Sequence, residues 1–211
     1  MWNWAEDKIR IKITWIRHGM TKSNEEHRYL GTTEEALSEK GIAQITESKK
    51  RYHLDQGGFL YTSPMLRCIQ TAEILFDRDP VCILDWKEMD FGRFEGKNYV
   101  ELTGDPDYQR WIDSNGTLPF PGGESREEFI GRSMNGFCQM LTDLCEKSDQ
   151  KQPEYQVMAV VHGGTIMAVL SELTGMEYYD FQVKNGEAYE TVLEIDALDR
   201  KVISIKKIEE G

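Results

Sequence analysis

The chain has 211 residues, of which 39% are hydrophobic and 29% are charged, ordinary proportions for a globular protein with a substantial core. Its 25 Lys and Arg are outnumbered by 37 Asp and Glu, and the resulting net charge of −12 disfavours nucleic acids and anionic membranes as partners. Residues Met1–Asp7 carry no basic region ahead of an apolar stretch, and no apolar run is long enough to span a bilayer. We therefore expect a cytoplasmic protein, in which an anionic ligand would need a local cationic pocket.

Predicted strands and helices alternate along the first half of the chain. The apolar, alternating segment Ile11–Ile16 predicts a strand, and the polar stretch over residues 21–35 has no periodicity and predicts a long loop. A helix is expected over residues 38–49, where the initial serine is a candidate cap and Ile42 and Ile45 fall on one face.

The next elements are a strand, a helix and a third strand. The short apolar segment Gly58–Thr62 predicts the strand, and Ser63-Pro64 behind it has the pattern of a capped helix start. Residues 81–84 predict the third strand. The helix between them carries an apolar stripe at spacings of four, three and four residues, formed by Met65, Ile69, Ala72 and Phe76.

Residues 88–123 form a long irregular stretch, with short helices expected near residues 98–102 and 106–113. A stretch this long inside a compact domain is more often a functional lid than a simple connection. A capping-box pattern at Ser125–Glu128 opens the clearest helix of the chain. Its inward face is predicted to hold Phe129, Ser133, Phe137, Met140, Leu141 and Leu144. The remaining predicted elements are a strand at 157–161, a helix at 165–173 and strands at 188–195 and 202–208.

This alternation predicts a single domain over residues 1–211 with an α/β fold, a three-layer α/β/α sandwich around a mostly parallel central sheet. The four cysteines form no C-x-x-C pair, so Cys68, Cys82, Cys138 and Cys145 are interpreted as core or near-core thiols rather than disulfide partners or zinc ligands. We predict no metal and no other cofactor.

Two histidines stand where predicted strands end. Arg17, His18 and Gly19 follow the first strand, and His162 follows the strand at 157–161. The ends of parallel strands open onto the ligand crevice of an α/β sheet, so the two imidazoles are expected to share a pocket beside Arg17. Such a pocket suits chemistry on an anion, most simply a phosphate. The alternative is that each histidine caps a strand end or is a hydrogen-bonded core residue.

Five sequence blocks occur in a fixed order between about Ile11 and Thr174. They are Arg17-His18-Gly19 with Thr21 and Asn24; Ser63-Pro64 with Arg67 and Gln70-Thr71-Ala72; Glu88 with Phe91-Gly92 and Phe94-Glu95-Gly96; Pro121-Gly122-Gly123-Glu124-Ser125; and His162-Gly163-Gly164. In this order they resemble the histidine phosphatase superfamily, the phosphoglycerate mutase-like proteins. The resemblance implies an enzyme with a covalent phosphohistidine mechanism, whose phosphate pocket contains two arginines and a second histidine.

The resemblance assigns a catalytic role to five residues. His18 would be the nucleophile, since an imidazole is neutral near pH 7 and can attack phosphorus. Arg17 and Arg67 would clamp the phosphate with their planar guanidinium groups, and His162 would donate to its oxygens. Glu88 would act as general acid and then as general base, which requires a raised pKa.

Other assignments leave alternatives open. Asn24 and Gly163 are expected to contact substrate, although Asn24 has the alternative role of a turn-forming residue. Taken alone, Arg67 could form an ordinary surface ion pair. Composition alone does not separate Glu88 from its neighbouring carboxylates Asp85, Asp90 and Glu95.

Several positions depart from the family pattern. Met20 stands where glutamate is usual, Phe94 where tryptophan is common, and Cys68 where alanine is usual, while Glu34-Glu35-Ala36-Leu37 replaces an aspartate-proline-leucine stretch. These departures bear on the subgroup and the substrate rather than on the five catalytic positions.

Three functions compete: a phosphomonoesterase for a small phosphorylated metabolite, a phosphoglycerate mutase, and a non-catalytic phosphate-binding domain. Mutases of the cofactor-dependent kind look longer and add basic residues in the lid, whereas residues 98–123 here contain only Arg110. That favours the phosphatase branch, especially proteins similar to α-ribazole phosphatase. A degenerate domain should have lost His18, Arg67 or His162, and all of these residues are present.

Overall fold

A computed structural model describes residues 9–51, 54, 56–148, 152, 154–195 and 200–208. The strands are β1 (Ile9–Arg17), β2 (Phe59–Thr62), β3 (Val81–Cys82), β4 (Glu154–Val161), β5 (Ala188–Ile195) and β6 (Arg200–Ile208). The α-helices are α1 (Lys22–Glu25), α2 (Glu39–Arg51), α3 (Leu66–Leu75), α4 (Pro106–Asp113), α5 (Arg126–Lys147) and α6 (Gly163–Thr174). Short 3-10 turns occur at Leu84–Trp86, Gly92–Phe94 and Tyr178–Phe181.

The strands form one sheet in the order β3-β2-β4-β1-β5-β6. The pairs β3-β2, β2-β4 and β4-β1 are parallel, while β5 is antiparallel to both of its neighbours. Among these six strands, β5 is therefore the one that runs in the opposite direction. The prediction of a mostly parallel sheet is confirmed.

Helices cover both faces of this sheet. Helices α5 and α6 pack against one face through the apolar side chains at odd-numbered positions of β1 and β4, among them Ile13 and Val157. Helices α2 and α3 cover the opposite face, where Ile16 and Val160 are buried. Because neighbouring side chains of a strand point to opposite faces, a central strand covered on both sides must be apolar throughout, as the segment 157–161 is. The predicted three-layer α/β/α fold is confirmed.

Several elements from α4 onward match their predictions closely. The serine and glutamate of the capping box that begins α5 exchange hydrogen bonds as predicted. The predicted bounds of α4 and β5 are also confirmed. All residues of the predicted inward stripe of α5 are buried, namely Phe129, Ser133, Phe137, Met140, Leu141 and Leu144.

Two predictions about helix faces and caps are wrong. Ile45 is fully buried, but Ile42 is 44% exposed, because the face of α2 that meets the sheet is narrower than the apolar pattern suggests. Ser63 does not cap α3: this helix begins at Leu66, and its N-cap, Met65, has no capping side-chain bond. The hydroxyl of Ser63 contacts a histidine ring instead, as described below.

Other predicted boundaries shift. Residues 98–102 form turns rather than a helix, and the expected loop at 21–35 contains the short helix α1. Strand β3 is only two residues long because the chain enters a 3-10 turn after Ile83. Cys68 is buried and Cys138 and Cys145 are half-buried, but Cys82 is exposed, so the expectation of a core thiol is wrong there.

Residues 1–7, on which the expectation of no secretory signal depended, lie outside the described residues. Within the described part of the chain, every helix is too short or too polar to cross a membrane.

Candidate active site

Three neighbouring parallel strands end at the same edge of the sheet and are followed there by polar residues. His18 comes directly after β1, Ser63 after β2, and His162 after β4. The register that aligns Arg17 with Val161 places the two histidines side by side. Their ring centroids are 5.2 Å apart and the ring planes are inclined by 69°. The expectation that both imidazoles share one pocket therefore matches the geometry.

The ring of His18 is held in one tautomer. Its Nδ1 lies 2.7 Å from the carbonyl oxygen of Gly19, and because a carbonyl only accepts, Nδ1 carries the proton. The Nε2 lone pair is therefore available. Burial, together with the charges of Arg67 and Arg17, holds the pKa of His18 well below its usual value. The ring is neutral, which is the form that can act as a nucleophile.

Two guanidinium groups adjoin the histidines, that of the half-buried Arg17 and that of the buried Arg67. Arg17 donates from Nη1 to the carbonyl oxygen of Val183 at 2.7 Å, and Arg67 donates from Nη2 to that of Gly31 at 2.7 Å. In both arginines Nε is buried and has no hydrogen-bond partner. Arg67 is completely inaccessible to solvent, so the alternative of a surface ion pair is excluded. Burying a cationic N–H donor without an acceptor costs free energy. The unpaired Nε donors of the two arginines therefore indicate a cradle for an anion.

His162 is completely buried at the start of α6. Its Nε2 lies 2.7 Å from the hydroxyl of Ser63, and the thiol of Cys68 approaches the same nitrogen to 3.6 Å. Burial and the nearby charge of Arg67 hold the pKa of His162 well below its usual value, so the ring is neutral in the unliganded site. The unusual cysteine at position 68 thus contacts a candidate catalytic residue directly.

Glu88 is the carboxylate that adjoins this group. Its Oε2 lies 3.9 Å from Nδ1 of His162, and its Oε1 accepts a hydrogen bond from the Met89 amide at 2.9 Å. Burial raises its pKa, although the Met89 amide and the arginines oppose this shift. The segment around Glu88 is fixed by Arg132, which donates to the Glu88 carbonyl oxygen at 3.0 Å and to the carboxylate of Glu124.

The other carboxylates considered from the sequence serve different contacts. Asp85 accepts from the side-chain amides of Asn135 and Gln139 on α5. Asp90 accepts from the Gly92 amide within its own turn, and Glu95 accepts from the backbone and hydroxyls of Thr32 and Thr33. Of the four alternatives, the geometry therefore favours Glu88 as the acid.

Asn24 and Thr21 have a structural role. They form the reciprocal capping box of α1, and the Oδ1 of Asn24 also accepts from the side-chain amide of Asn185 at 3.0 Å. Asn24 nevertheless lines a cavity together with Arg17 and Glu88, so its amide nitrogen remains a candidate donor.

Two cavities meet at Arg17 and Glu88. The larger has a volume of about 890 Å³ and is lined mainly by polar and basic side chains, including Asn24, His27, Arg28, Gln44, Lys184, Asn185 and Lys207. The smaller has a volume of about 270 Å³ and is lined largely by aromatic side chains of the lid and of the turn after α6. In the described residues, no group of three or more His, Cys, Asp or Glu side chains could hold a metal ion.

Several supporting residues have little signal in the sequence. Asn185 donates to the His18 carbonyl oxygen at 3.1 Å, and Ser63, predicted as a helix cap, instead contacts His162. Arg132 anchors the Glu88 segment from the middle of α5. No spacing rule connects these residues to the site, because each reaches it across the tertiary fold.

Comparisons with known proteins place the chain in a family. A family model for the histidine phosphatase superfamily (branch 1) matches residues 13–206. The uncharacterized phosphatase PhoE of Bacillus subtilis (strain 168) is 31% identical over 163 residues, which are 76% of this chain and 76% of that protein. The 2,3-bisphosphoglycerate-dependent phosphoglycerate mutase 2 of Gloeobacter violaceus is 27% identical over 170 residues, 76% of this chain and 74% of the relative.

A solved structure shares the fold over almost the whole chain. The α-ribazole phosphatase from Shigella flexneri superposes with a TM-score of 0.71 at 22% identity, covering 90% of this chain and 94% of that one. Because the family model spans nearly the whole chain, the protein is an enzyme of the histidine phosphatase superfamily, branch 1, as its ordered sequence motifs predict.

Proposed function

We propose that the protein is a phosphomonoesterase that hydrolyses a small phosphorylated metabolite through a phosphohistidine intermediate on His18. The observation that supports this most directly is the pair of buried imidazoles 5.2 Å apart, beside two arginines whose buried Nε atoms have no partner. A tetrahedral dianion supplies the acceptors that these donors lack.

The first chemical step transfers the phosphoryl group to the protein. Nε2 of His18 attacks phosphorus in line, the P–O bond to the alcohol breaks, and protonated Glu88 gives its proton to the departing oxygen. The products of this step are the free alcohol, the Glu88 carboxylate and phospho-His18.

The second step returns the enzyme to its initial state. The Glu88 carboxylate accepts a proton from water, the water oxygen attacks phosphorus, and the P–N bond breaks to release inorganic phosphate. His18 regains its Nε2 lone pair and Glu88 its proton, so neither step requires another reactant.

The remaining site residues would bind the phosphoryl oxygens. Arg17, Arg67, His162 and the backbone amide of Gly163 at the start of α6 would donate to these oxygens, and Asn24, which lines the larger cavity, would add its side-chain amide. Removing one donor of this kind typically costs about 3–4 kcal/mol of transition-state stabilisation.

The proposal extends to the phosphatase branch and to one named candidate substrate, α-ribazole 5'-phosphate. Support comes from the shared fold with an α-ribazole phosphatase and from the absence of basic lid residues other than Arg110 in the segment 98–123. Arg110 forms an ion pair with Asp107 of its own helix and lines neither of the two cavities that meet at Glu88. A panel of phosphorylated metabolites that includes this compound would rank the substrates.

Mutase activity is the second candidate, and the larger cavity is the observation in its favour. Arg28, Lys184 and Lys207 surround that cavity, and such a lining could hold the carboxylate of a phosphoglycerate. The experiment supplies 3-phosphoglycerate with and without a bisphosphoglycerate primer. Interconversion of isomers faster than phosphate release would reverse the ranking.

The decisive test of the phosphatase is hydrolysis of p-nitrophenyl phosphate in the presence of a chelator. We expect turnover by the unaltered protein and its loss in His18→Ala. During turnover a phosphoryl group should also be retained on the protein after alkaline denaturation and be released by acid. No turnover would refute the proposal and leave the third candidate, a non-catalytic phosphate-binding domain. Equal turnover by His18→Ala would refute the phosphohistidine intermediate on His18.

A further inference from the structure

The smaller of the two cavities has an aromatic wall directly beside Glu88. It opens between the lid and the start of α6, where Gly163, Gly164 and Met167 form its floor. Its remaining walls are lined mainly by aromatic side chains, namely Tyr29, Phe91, Trp111, Phe120, Tyr178 and Tyr179.

The lid rings around this cavity pack against one another. The ring centroids of Trp111 and Phe120 are 4.8 Å apart, those of Phe91 and Phe120 are 4.9 Å apart, and those of Tyr29 and Phe91 are 5.2 Å apart. Offset and edge-to-face contacts at these distances fix the orientation of each ring. The cavity therefore presents a preformed apolar surface, the kind of surface that a flat ring fills at low entropic cost.

Polar groups at the cavity are few and are mostly committed. Arg126 stacks over the rings of Tyr178 and Tyr179 at 5.2 and 5.0 Å and donates to the carbonyl oxygens of Asn115 and Gly116. The exception is Trp111, whose Nε1–H is buried without a hydrogen-bond partner.

The position of the acid determines which part of a substrate occupies this cavity. The departing oxygen must face Glu88, and Glu88 borders both cavities. A polar, multiply charged alcohol would be directed to the larger cavity with its basic residues. An apolar alcohol would be directed to the smaller one, because burying apolar surface there removes it from water.

We propose that the alcohol portion of the substrate is a planar aromatic or heteroaromatic group, which binds in the smaller cavity between Trp111, Phe120 and Met167. This inference rests on the proposed phosphatase function and names the substrate class of the same site. At about 270 Å³ the cavity has room for a small ring system.

The test compares phosphate esters of primary alcohols, so that differences in leaving-group reactivity stay small. The esters are 2-phenylethyl phosphate, 2-cyclohexylethyl phosphate and glycerol 3-phosphate. Because burying a phenyl group contributes about 1.5–3 kcal/mol, kcat/KM for the phenylethyl ester should exceed that for glycerol 3-phosphate by roughly ten- to a hundredfold. Because aromatic rings gain specific contacts with one another, kcat/KM for the phenylethyl ester should also be about two- to tenfold higher than that for the cyclohexylethyl ester.

Variants then locate the preference. Trp111→Leu should lower the ratio of kcat/KM for phenylethyl over glycerol phosphate to within a few-fold of unity. Met167→Phe should lower the same ratio by filling the cavity from its floor. Because Met167 lies on α6, this variant leaves the lid residues unaltered. The matched control is Tyr99→Leu, since Tyr99 belongs to the same irregular segment, is 63% exposed and lines neither cavity. Its ratio should equal that of the unaltered protein.

The outcomes separate this inference from the proposed function. Equal or better hydrolysis of glycerol 3-phosphate by an active enzyme overturns the aromatic assignment and leaves the phosphatase intact. A cyclohexylethyl ester that matches the phenylethyl ester overturns the requirement for an aromatic ring. A ratio that stays unchanged in both cavity variants places the alcohol elsewhere. If p-nitrophenyl phosphate and all three esters remain intact, the proposed function fails.

Discussion

The pKa values of His18 and Glu88 shift in opposite directions for one physical reason, because burial penalises the charged form of each group. The imidazole is therefore neutral and the carboxyl keeps its proton to a higher pH than in water. A neutral nucleophile and a protonated acid are the two states that the proposed first step requires. The protonation states that this chemistry requires therefore depend on the removal of water from the two groups as well as on the residue types.

Replacing Glu88 by glutamine should reveal this acid in a pH profile. For an alkyl phosphate, kcat/KM of the unaltered enzyme should fall at high pH as Glu88 loses its proton and at low pH as His18 gains one. Because Glu88 carries the proton donated to the alcohol, Glu88→Gln should lower kcat/KM by about 10²–10⁴-fold and remove the alkaline limb.

Substrate choice and a neighbouring carboxylate supply the controls for Glu88. The loss of kcat/KM in Glu88→Gln should be much smaller with p-nitrophenyl phosphate, since nitrophenolate departs without a proton. Asp90→Asn should keep the alkaline limb, because the Asp90 carboxylate accepts a hydrogen bond from the amide of Gly92 within its own turn. An alkaline limb that persists in Glu88→Gln would assign the acid to another group.

At the scale of elements, the site depends on close approach between the start of α6 and the segment around Glu88. A Cβ built on Gly164 would lie 2.4 Å from Oε1 of Glu88, and one on Gly163 would lie 3.3 Å from Nε of Arg17. Only glycine lets both catalytic side chains keep their positions against the backbone of this helix. The two glycines after His162 are thus explained by contacts that the helix alone does not require.

Gly164→Ala should therefore lower activity without weakening the fold. The added methyl group displaces the Glu88 carboxyl, and a misplacement of about 1 Å can cost on the order of 10²-fold in rate. Alanine is also the better helix former, by about 1 kcal/mol, which offsets part of the steric cost. Steady-state kinetics would measure the loss of activity, and thermal unfolding of the same preparation would measure the change in stability.

Gly131 in α5 offers a matched control, because nothing lies within 4 Å of a Cβ built there. Gly131→Ala should keep full activity and gain about 0.5–1 kcal/mol in the free energy of unfolding. Full activity in Gly164→Ala would contradict the placement of the Glu88 carboxyl.

At the scale of the whole molecule, a protein of net charge −12 holds Arg17 and Arg67 together beside His18 at one edge of the sheet. The overall field repels a phosphate, so affinity must arise from the short-range contacts of Arg17 and Arg67 inside a low-dielectric site. Keeping unpaired guanidinium groups buried costs stability in the unliganded protein. An anion that fills the cradle should recover some of that stability.

Orthovanadate or inorganic phosphate should accordingly raise the melting temperature. At a ligand concentration of 100 times Kd the gain is about 2.7 kcal/mol, which corresponds to roughly 5–10 °C for a chain of this size. Arg67→Met should abolish the ligand-induced shift, whatever its own melting temperature. Arg110→Met, which alters an exposed arginine of the lid, should preserve it. An equal shift in both variants would place the anion outside the proposed cradle.

The sequence by itself determined the fold class, most of the elements and the five candidate catalytic residues. Strand and helix periods are local patterns, so α5, with its capping box and apolar stripe, could be recognised without a structure. The histidines could be placed at one edge because parallel strands end together. Predictions from the sequence are wrong where a residue bonds a partner that is distant in the chain instead of following a local pattern. Ser63 resembles a helix cap, yet its hydroxyl contacts His162, 99 positions away.

Tertiary structure alone decided the electrostatics and the shape of the site. The unpaired donors of Arg17 and Arg67, the desolvation of Glu88, and the contact of Cys68 with His162 depend on burial and on partners far apart in the chain. The aromatic cavity is assembled from the lid, the segment after α1 and the turn after α6. No local pattern encodes such convergence, because side chains distant in sequence meet only after the sheet and its helices have packed.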